Sequence, residues 1–426
     1  MNKTQQIPPS EFSPLLGVRG NFLKNTKGDR VIWAIVILLT LVSVLVVYSS
    51  VGSLAYKMNK TTESYLFKQI AFIVLGVLII YFAHRVNYTI YSRVATILFL
   101  VSIPLLFYTL KFGSNINEAS RWIKLPVINM TFQTSDLAKL ALFMYMSKQL
   151  SRKQHVIKDF KKGFLPLIIP VCIICVLIAP ANLSTTLLIG GTSLMLMFIG
   201  RVNIKHILLV VGTAMMPVLF LILVARHYYN KEENKTKELP SILHSGRMPT
   251  WIKRVQDFMY ADKADASYQV QQAKIAIAKG GWIGNGPGKS EQRNFLPHPY
   301  SDFIYAIIIE EYGLLGGAVI IFAYLLFLFR SIRLFQKCPY AFGAFLALAL
   351  SFTLVIQAMV NMAVNVNLFP TTGVTLPLVS MGGSSLWFTC FAIGIILSVS
   401  RNVEQMEGEK IVEVIEEKNN QADTGS

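Results

Sequence analysis

Apolar runs of roughly 20 residues, each long enough to cross a bilayer's hydrocarbon core, recur along this chain and alternate with polar breaks. The pattern predicts ten spanning helices, near 31–50, 66–83, 90–110, 133–150, 164–180, 183–200, 205–226, 303–330, 341–364 and 383–400. The fold class that follows is all-α. One polytopic membrane domain covers 31–402, with a polar segment 1–30 before it and a charged, structureless tail 403–426 after it. The longest break, 227–302, is read as one large hydrophilic loop. Within it Trp251, Phe258, Met259 and Tyr260 alternate with Lys253, Arg254 and Asp257, a pattern suited to a bilayer surface. Farther on, Gly280 to Gly288 holds five glycines and a proline in nine residues. That composition breaks regular helix and favours tight turns or close backbone approach.

Charge supplies the orientation. Lys148, Arg152, Lys153, Lys158, Lys161 and Lys162 crowd one connection, and Arg201, Lys205, Arg330, Arg333 and Lys337 follow at others on the same side. The connections 180–183 and 364–383, on the opposite side, are almost uncharged. The Lys/Arg bias therefore puts both termini in the cytoplasm and 227–302 outside. Residues 1–30 are polar and the first apolar run lacks a small-residue cleavage site, so that run is read as a retained span rather than a signal peptide.

Composition agrees. Hydrophobic residues make up 53% of the 426 and charged residues 15%, against about 25% charged in soluble domains. The net charge of +17 is explained by topology, and no nucleic-acid-binding motif accompanies it. Four cysteines, Cys172, Cys175, Cys338 and Cys390, show no disulfide or metal framework and are read as packing residues.

Several polar residues stand where they are expensive. Asp302 directly precedes the apolar run from Phe303; an acid at the lip of a span suits a general base or an ordinary helix cap. Glu310 and Glu311 lie about two turns deeper and require a polar cavity, a cation or a protein partner. Asp136 and Lys139 are spaced to pair along one helix face. Arg121, Trp122 and Lys124 precede them and suit either phosphate binding or interfacial anchoring. Arg247, Lys253, Arg254, Lys289 and Arg293 supply cations in the outer loop. Asn365 to Ser385 is rich in Gly, Pro, Ser and Thr. Irregular backbone at membrane depth must be buried in protein or line a cavity.

In combination these motifs resemble the SEDS family (shape, elongation, division and sporulation). Gln133-Thr134-Ser135-Asp136-Leu137-Ala138-Lys139 is similar to the family's Q-P-S-E-[LF]-x-K. Tyr268-Gln269-Val270-Gln271-Gln272, with Ala276 to Gly284, resembles Y-Q-x-x-Q followed by A-I-x-x-G-G-x-x-G. Leu296-Pro297 through Asp302-Phe303-Ile304-Tyr305-Ala306, then Glu310-Glu311-Tyr312-Gly313, follows L-P-E-x-x-T-D-F-I-F-A and E-E-x-G. Pro370 to Gly373 and Leu376 to Ser385 match P-x-T-G and L-P-F-[IV]-S-Y-G-G-S-S. His298 stands where the family has glutamate, Ser301 where it has threonine, Asn182 and Asp136 where it has aspartate and glutamate, Thr134 where it has proline, and Met381 where it has tyrosine.

The resemblance implies a peptidoglycan glycosyltransferase that polymerises lipid II at the outer face of the bacterial cytoplasmic membrane. It makes Asp302 the catalytic carboxylate. The substrate, an undecaprenyl-pyrophosphate-linked glycan, would meet the cations Arg121, Lys139, Arg247, Lys289 and Arg293. Further contacts are expected from Gln269, Gln272, Ser290, Gln292 and His298, and from Asn365, Thr372, Ser380 and Ser384. A divalent cation, Mg or Mn, would assist the pyrophosphate. The implied partners are a class B penicillin-binding protein, other division proteins and membrane lipid, with overall likeness leaning to the septal (FtsW) branch over the side-wall branch. A lipid II flippase and a non-catalytic scaffold are the alternatives.

Overall fold

The computed structural model describes residues 28–423 except 58, 60, 117–118, 126–129, 231–234, 237–239, 241–242, 244–246 and 261–267. The predicted segment 1–30 therefore lies almost wholly outside the described residues. Every predicted span is a helix. In chain order these are α1 (Arg30–Ser50), α2 (Thr62–Arg85), α3 (Tyr88–Phe112), α4 (Thr134–Arg152), α5 (Leu165–Ile178), α6 (Leu183–Ile199) and α7 (Ile204–His227). Two helices inside the large loop follow, α8 (Met248–Met259) and α9 (Tyr268–Gly280). Then come α10 (Ile304–Lys337), α11 (Ala341–Asn365) and α12 (Ser384–Asp423). A small antiparallel sheet, β1 (Ser114–Ile116), β2 (Ala119–Leu125) and β3 (Met130–Gln133), leads into α4.

Among the described residues, eight helices are long and apolar enough to cross a membrane. The two spanning helices that fall short do so for different reasons. Helix α6 is apolar but has only 17 residues, whereas α5 reaches 19 with the helical turn Phe160–Phe164 that precedes it. Helix α4 carries Asp136 and Lys139, yet it is packed by α3, α5, α11 and α12. A helix surrounded by other helices need not present an apolar face to lipid. Helix α11 is the other central element, packed against α4, α6, α10 and α12. At the rim, α7 buries only Ile207, Leu221 and Ala225 and leaves most of its length for lipid.

Caps fix several ends. Asp29 Oδ1 accepts from the amides of Val31 (2.8 Å) and Ile32 (3.4 Å), and its Oδ2 is 2.6 Å from the Arg330 guanidinium. The start of α1 is thereby tied to the far end of α10. Asn182 caps α6, accepting from the Thr185 amide at 3.2 Å. Removing such a cap typically costs about 1 kcal/mol, so Asn182→Ala is expected to lower the thermal unfolding temperature measurably. A variant melting with the parent would show that this cap carries no stability.

The structure differs from the sequence reading at two places. The tail expected to be structureless continues as helix to Asp423; Glu404 to Lys418 is built largely from good helix formers. Within the large loop, α8 packs against α7 and α9 against α10. Helix α8 seats Ile252 and Trp251 against Leu221, Val224 and Ala225 of α7, and Gln256 donates to the Ala225 carbonyl at 2.8 Å.

Candidate functional site

The site forms at one end of the bundle, where connections 113–133, 180–183, 227–302 and 364–383 converge. Among the described residues, two neighbouring cavities there share part of their lining. The smaller, about 320 Å³, is lined by Gln269, His298, Thr371, Thr372 and Asn361 among others. The larger, about 550 Å³, is lined by Trp122, Gln133, Asp136, Lys139, Asn182, Arg247 and Gln357 among others. Asp302, Arg254, His298, Gly373 and Val374 line both. Asp302 therefore stands on the wall between the two compartments.

Its position is set from the backbone outward. Asp302 precedes α10, and its carbonyl accepts from Asn361 Nδ2 and from Asn365 Nδ2, both at 2.9 Å. Asn365 Oδ1 accepts from the Ala306 amide at 3.1 Å, fastening the first turn of α10 as well. On the other side Ser380 Oγ donates to the Ser301 carbonyl at 2.6 Å, and the Met381 amide donates to the Tyr300 carbonyl at 2.9 Å. The carboxylate accepts from Ser301 Oγ at 2.9 Å. Gly373 adopts φ 68°, and even a Cβ there would lie 3.5 Å from Asp302 Oδ2, so this segment passes close beside the carboxylate.

Cations surround this point. Arg254 Nη1 donates to the carbonyls of Thr371 (3.0 Å) and Thr372 (3.4 Å), which aims the guanidinium across the shared wall. Burial, and then Arg247, push Arg254 below its ordinary range, while Asp302 and Asp257 oppose the shift. Its guanidinium stays charged throughout the working pH range. Arg247 is anchored on the Ala181 carbonyl at 2.7 Å. Lys139 is 3.4 Å from Asp136 and donates to Gln357 Oε1 at 3.0 Å. His298 has φ 55° and places Nδ1 3.0 Å from the Tyr300 hydroxyl.

The expected substrate residues thus divide. Lys139, Arg247, Gln269, His298 and Thr372 line the cavities with Asp302. Asn365 and Ser380 hold the backbone under Asp302, and Ser384 Oγ accepts from the Gln133 amide at 3.2 Å. Gln272 lies on α9 and lines neither cavity. Arg121 falls on β2, but its side chain is outside the described structure. Lys289, Ser290, Gln292 and Arg293 line neither cavity. Their loop wraps the buried carboxylates of α10. Glu310 accepts from Ser290 Oγ and from the amides of Glu291 (3.0 Å) and Gln292 (3.2 Å). Glu311 accepts from Ser49 Oγ, and Arg293 holds the same serine through its carbonyl at 3.0 Å. The polar surroundings required by these two acids are thus supplied by residues 290–292, just after the glycine-rich stretch, and by Ser49 of α1.

Two residues escaped sequence reasoning: Asn361, and the importance of Arg254 over its neighbouring cations. A signal for the first was present. Gln357, Asn361 and Asn365 recur every fourth residue in an otherwise apolar span, which puts three amides on one helix face.

Among the described residues, no three His, Cys, Asp or Glu side chains group to hold a metal. The larger cavity offers Asp302 and Asp136, the latter paired with Lys139. This set does not make a resident metal centre.

A bundle of membrane helices with a clamped carboxylate between two polar, cation-lined cavities defines the class. The family follows from comparison. Residues 29–405 match the FtsW/RodA/SpoVE family model, described as "Cell cycle protein", and the chain belongs to that family. It is 32% identical over 380 residues to a probable peptidoglycan glycosyltransferase FtsW of Trichlorobacter lovleyi, covering 88% of this chain and 94% of the relative. It is 30% identical over 386 residues to stage V sporulation protein E of Bacillus subtilis, covering 89% and 98%. The fold is similar to a chain solved in work on a peptidoglycan synthase complex that coordinates polymerization and crosslinking (TM-score 0.66, 23% identity, 89% of this chain and 99% of that one). It is also similar to the rod shape determining protein RodA of Thermus thermophilus (TM-score 0.60, 22% identity, 88% and 97%).

Proposed function

We propose that this chain is a peptidoglycan glycosyltransferase that polymerises lipid II, with Asp302 as general base. The observation that carries the reading is the place of Asp302: a carboxylate clamped on the wall shared by two cavities, with Arg254 beside it. Two substrates must meet in glycan polymerisation, and two compartments meet here. The larger cavity, with Lys139, Arg247 and Arg254, suits the lipid pyrophosphate of the donor. The smaller, with Gln269, His298 and Thr372, suits the hydroxyl-rich acceptor sugar.

In the reaction the acceptor hydroxyl gives its proton to Asp302 as its oxygen bonds to the donor's anomeric carbon. The bond from that carbon to pyrophosphate breaks, and lipid pyrophosphate leaves with the electron pair. Arg254, Lys139 and Arg247 meet the developing charge, where fixed cations count for most. The leaving group is already a weak base, so no separate acid is required. A Mg²⁺ or Mn²⁺ ion would arrive with the substrate's phosphates, and no step here depends on it. The site faces the outer side of the cytoplasmic membrane, both termini face inward, and a class B penicillin-binding protein works alongside at the septum. Translocation or scaffolding alone leaves the clamped carboxylate without a task.

The test is polymerisation of lipid II by the purified chain with its class B partner, read as a glycan ladder. A charge-assisted contact contributes about 1.5–3 kcal/mol, so Arg254→Ala is expected to lower kcat/KM roughly 10- to 100-fold, with Arg254→Lys intermediate. No ladder from the well-folded parent overturns the activity, and an unimpaired Arg254→Ala overturns the role given to that cation.

A further inference from the structure

Helix α10 is interrupted at Gly313, where φ is 71° and ψ −175°. In an unbroken helix the amides of Leu314 and Leu315 would donate to the carbonyls of Glu310 and Glu311. Here they donate to Gly281 (2.9 Å) and Trp282 (3.3 Å) of the glycine-rich loop. The two released carbonyls accept instead from Asn285 (3.0 Å) and Gly286 (2.9 Å). The loop is spliced into the helix's own ladder. The backbones approach so closely that a Cβ at Gly284 would strike the Glu311 carbonyl, and one at Gly313 the Trp282 carbonyl. The residues at the tip of this splice turn outward: Trp282 is 73% and Ile283 79% exposed.

What they face follows from the helix below. Leu314, Leu315, Val319, Phe322, Leu325 and Phe329 are exposed and form a lipid-facing stripe along α10. Leu314 and the exposed Arg333 are nineteen residues apart, about 28 Å of helix at 1.5 Å per residue. That is close to the roughly 30 Å thickness of a hydrocarbon core. With Arg333 at one boundary, the Gly313 break and the Trp282–Ile283 tip lie at the other. A Trp beside an aliphatic residue at that level is what the headgroup–acyl boundary accommodates.

We infer that Trp282 and Ile283 insert into the lipid boundary at the site end of the bundle and fix the depth of the loop against the bilayer. The partner is lipid, because the tip continues the lipid-facing stripe of α10 without a break. The inference rests on the spanning of α10 alone and is independent of the proposed catalysis.

The test uses the full chain in phospholipid nanodiscs. It reads the Trp282 signal as the fluorescence difference between parent and Trp282→Phe. Lipids brominated near the headgroup are expected to cause a larger loss of that signal than lipids brominated near the chain end. Aqueous acrylamide is expected to cause little loss. Quenching by acrylamide with no bromine effect places the tip in water and overturns the inference. Protection from both places it under protein, a second copy included, and overturns it equally. Should Trp282→Phe fold poorly, Ile283→Trp in the parent, read as the signal gained over the parent, repeats the measurement one residue on.

Discussion

Replacing Asp302 with asparagine is expected to reduce lipid II polymerisation by roughly 100- to 10,000-fold, the usual contribution of a positioned general base. Thermal unfolding should be unchanged. The separation of the two readouts follows from the geometry. The bonds that hold this turn run to the backbone carbonyls of Tyr300, Ser301 and Asp302, and asparagine preserves them all. It also preserves the volume beside Gly373 and can accept from Ser301 Oγ. Only proton-accepting power and charge are lost. A variant retaining more than a tenth of parental turnover would move the base elsewhere. A variant that melts early would show Asp302 to be a structural cap.

Glu310→Ala is expected to have the reverse signature, a large loss of stability. Glu310 is fully buried and receives three donors, Ser290 Oγ and the amides of Glu291 and Gln292. Each donor stranded in a buried place costs about 1–3 kcal/mol. Some will find water as the loop relaxes, so the net loss should be about 3 kcal/mol or more. The melting temperature of the purified chain should fall by several degrees. Glu310→Gln keeps one acceptor oxygen and should fall between. An alanine variant as stable as the parent would mean that the loop does not depend on this acid for its seat.

Much of the architecture was legible because bilayer-crossing helices announce themselves by length and apolarity, and all ten predicted spans are helices. Asp302 was legible too, from its place at the lip of a span and from the motif around it. What the sequence did not show is that Ser290, Gln292 and Arg293 hold the chain itself. Their partners Glu310, Glu311 and Ser49 are about 20 to 240 residues away, and no local periodicity links a donor to so distant an acceptor. Polar residues next to a presumed site look alike whether they bind ligand or chain. Arg254 was hidden for a similar reason. Only its seat on the Thr371 and Thr372 carbonyls separates it from Lys253, which remains exposed. The amide ladder of α11 carried a real signal, since three amides on one face of an apolar span need acceptors.

The break at Gly313 divides α10 into parts that answer to different surroundings. Residues 304–311 are enclosed by protein, whereas the stretch from Leu314 onward meets lipid. A membrane that thickens or thins changes the tilt of a span, at a modest cost per ångström of mismatch. In an unbroken rod that tilt would swing the first turn, and Asp302 with it. Here the helix is broken at Gly313 and both parts are bonded to the glycine-rich loop, Leu314 and Leu315 to its carbonyls and the Glu310 and Glu311 carbonyls to its amides. Tilt of the lipid-facing part therefore bears on residues 281–286 as well as on the enclosed first turn.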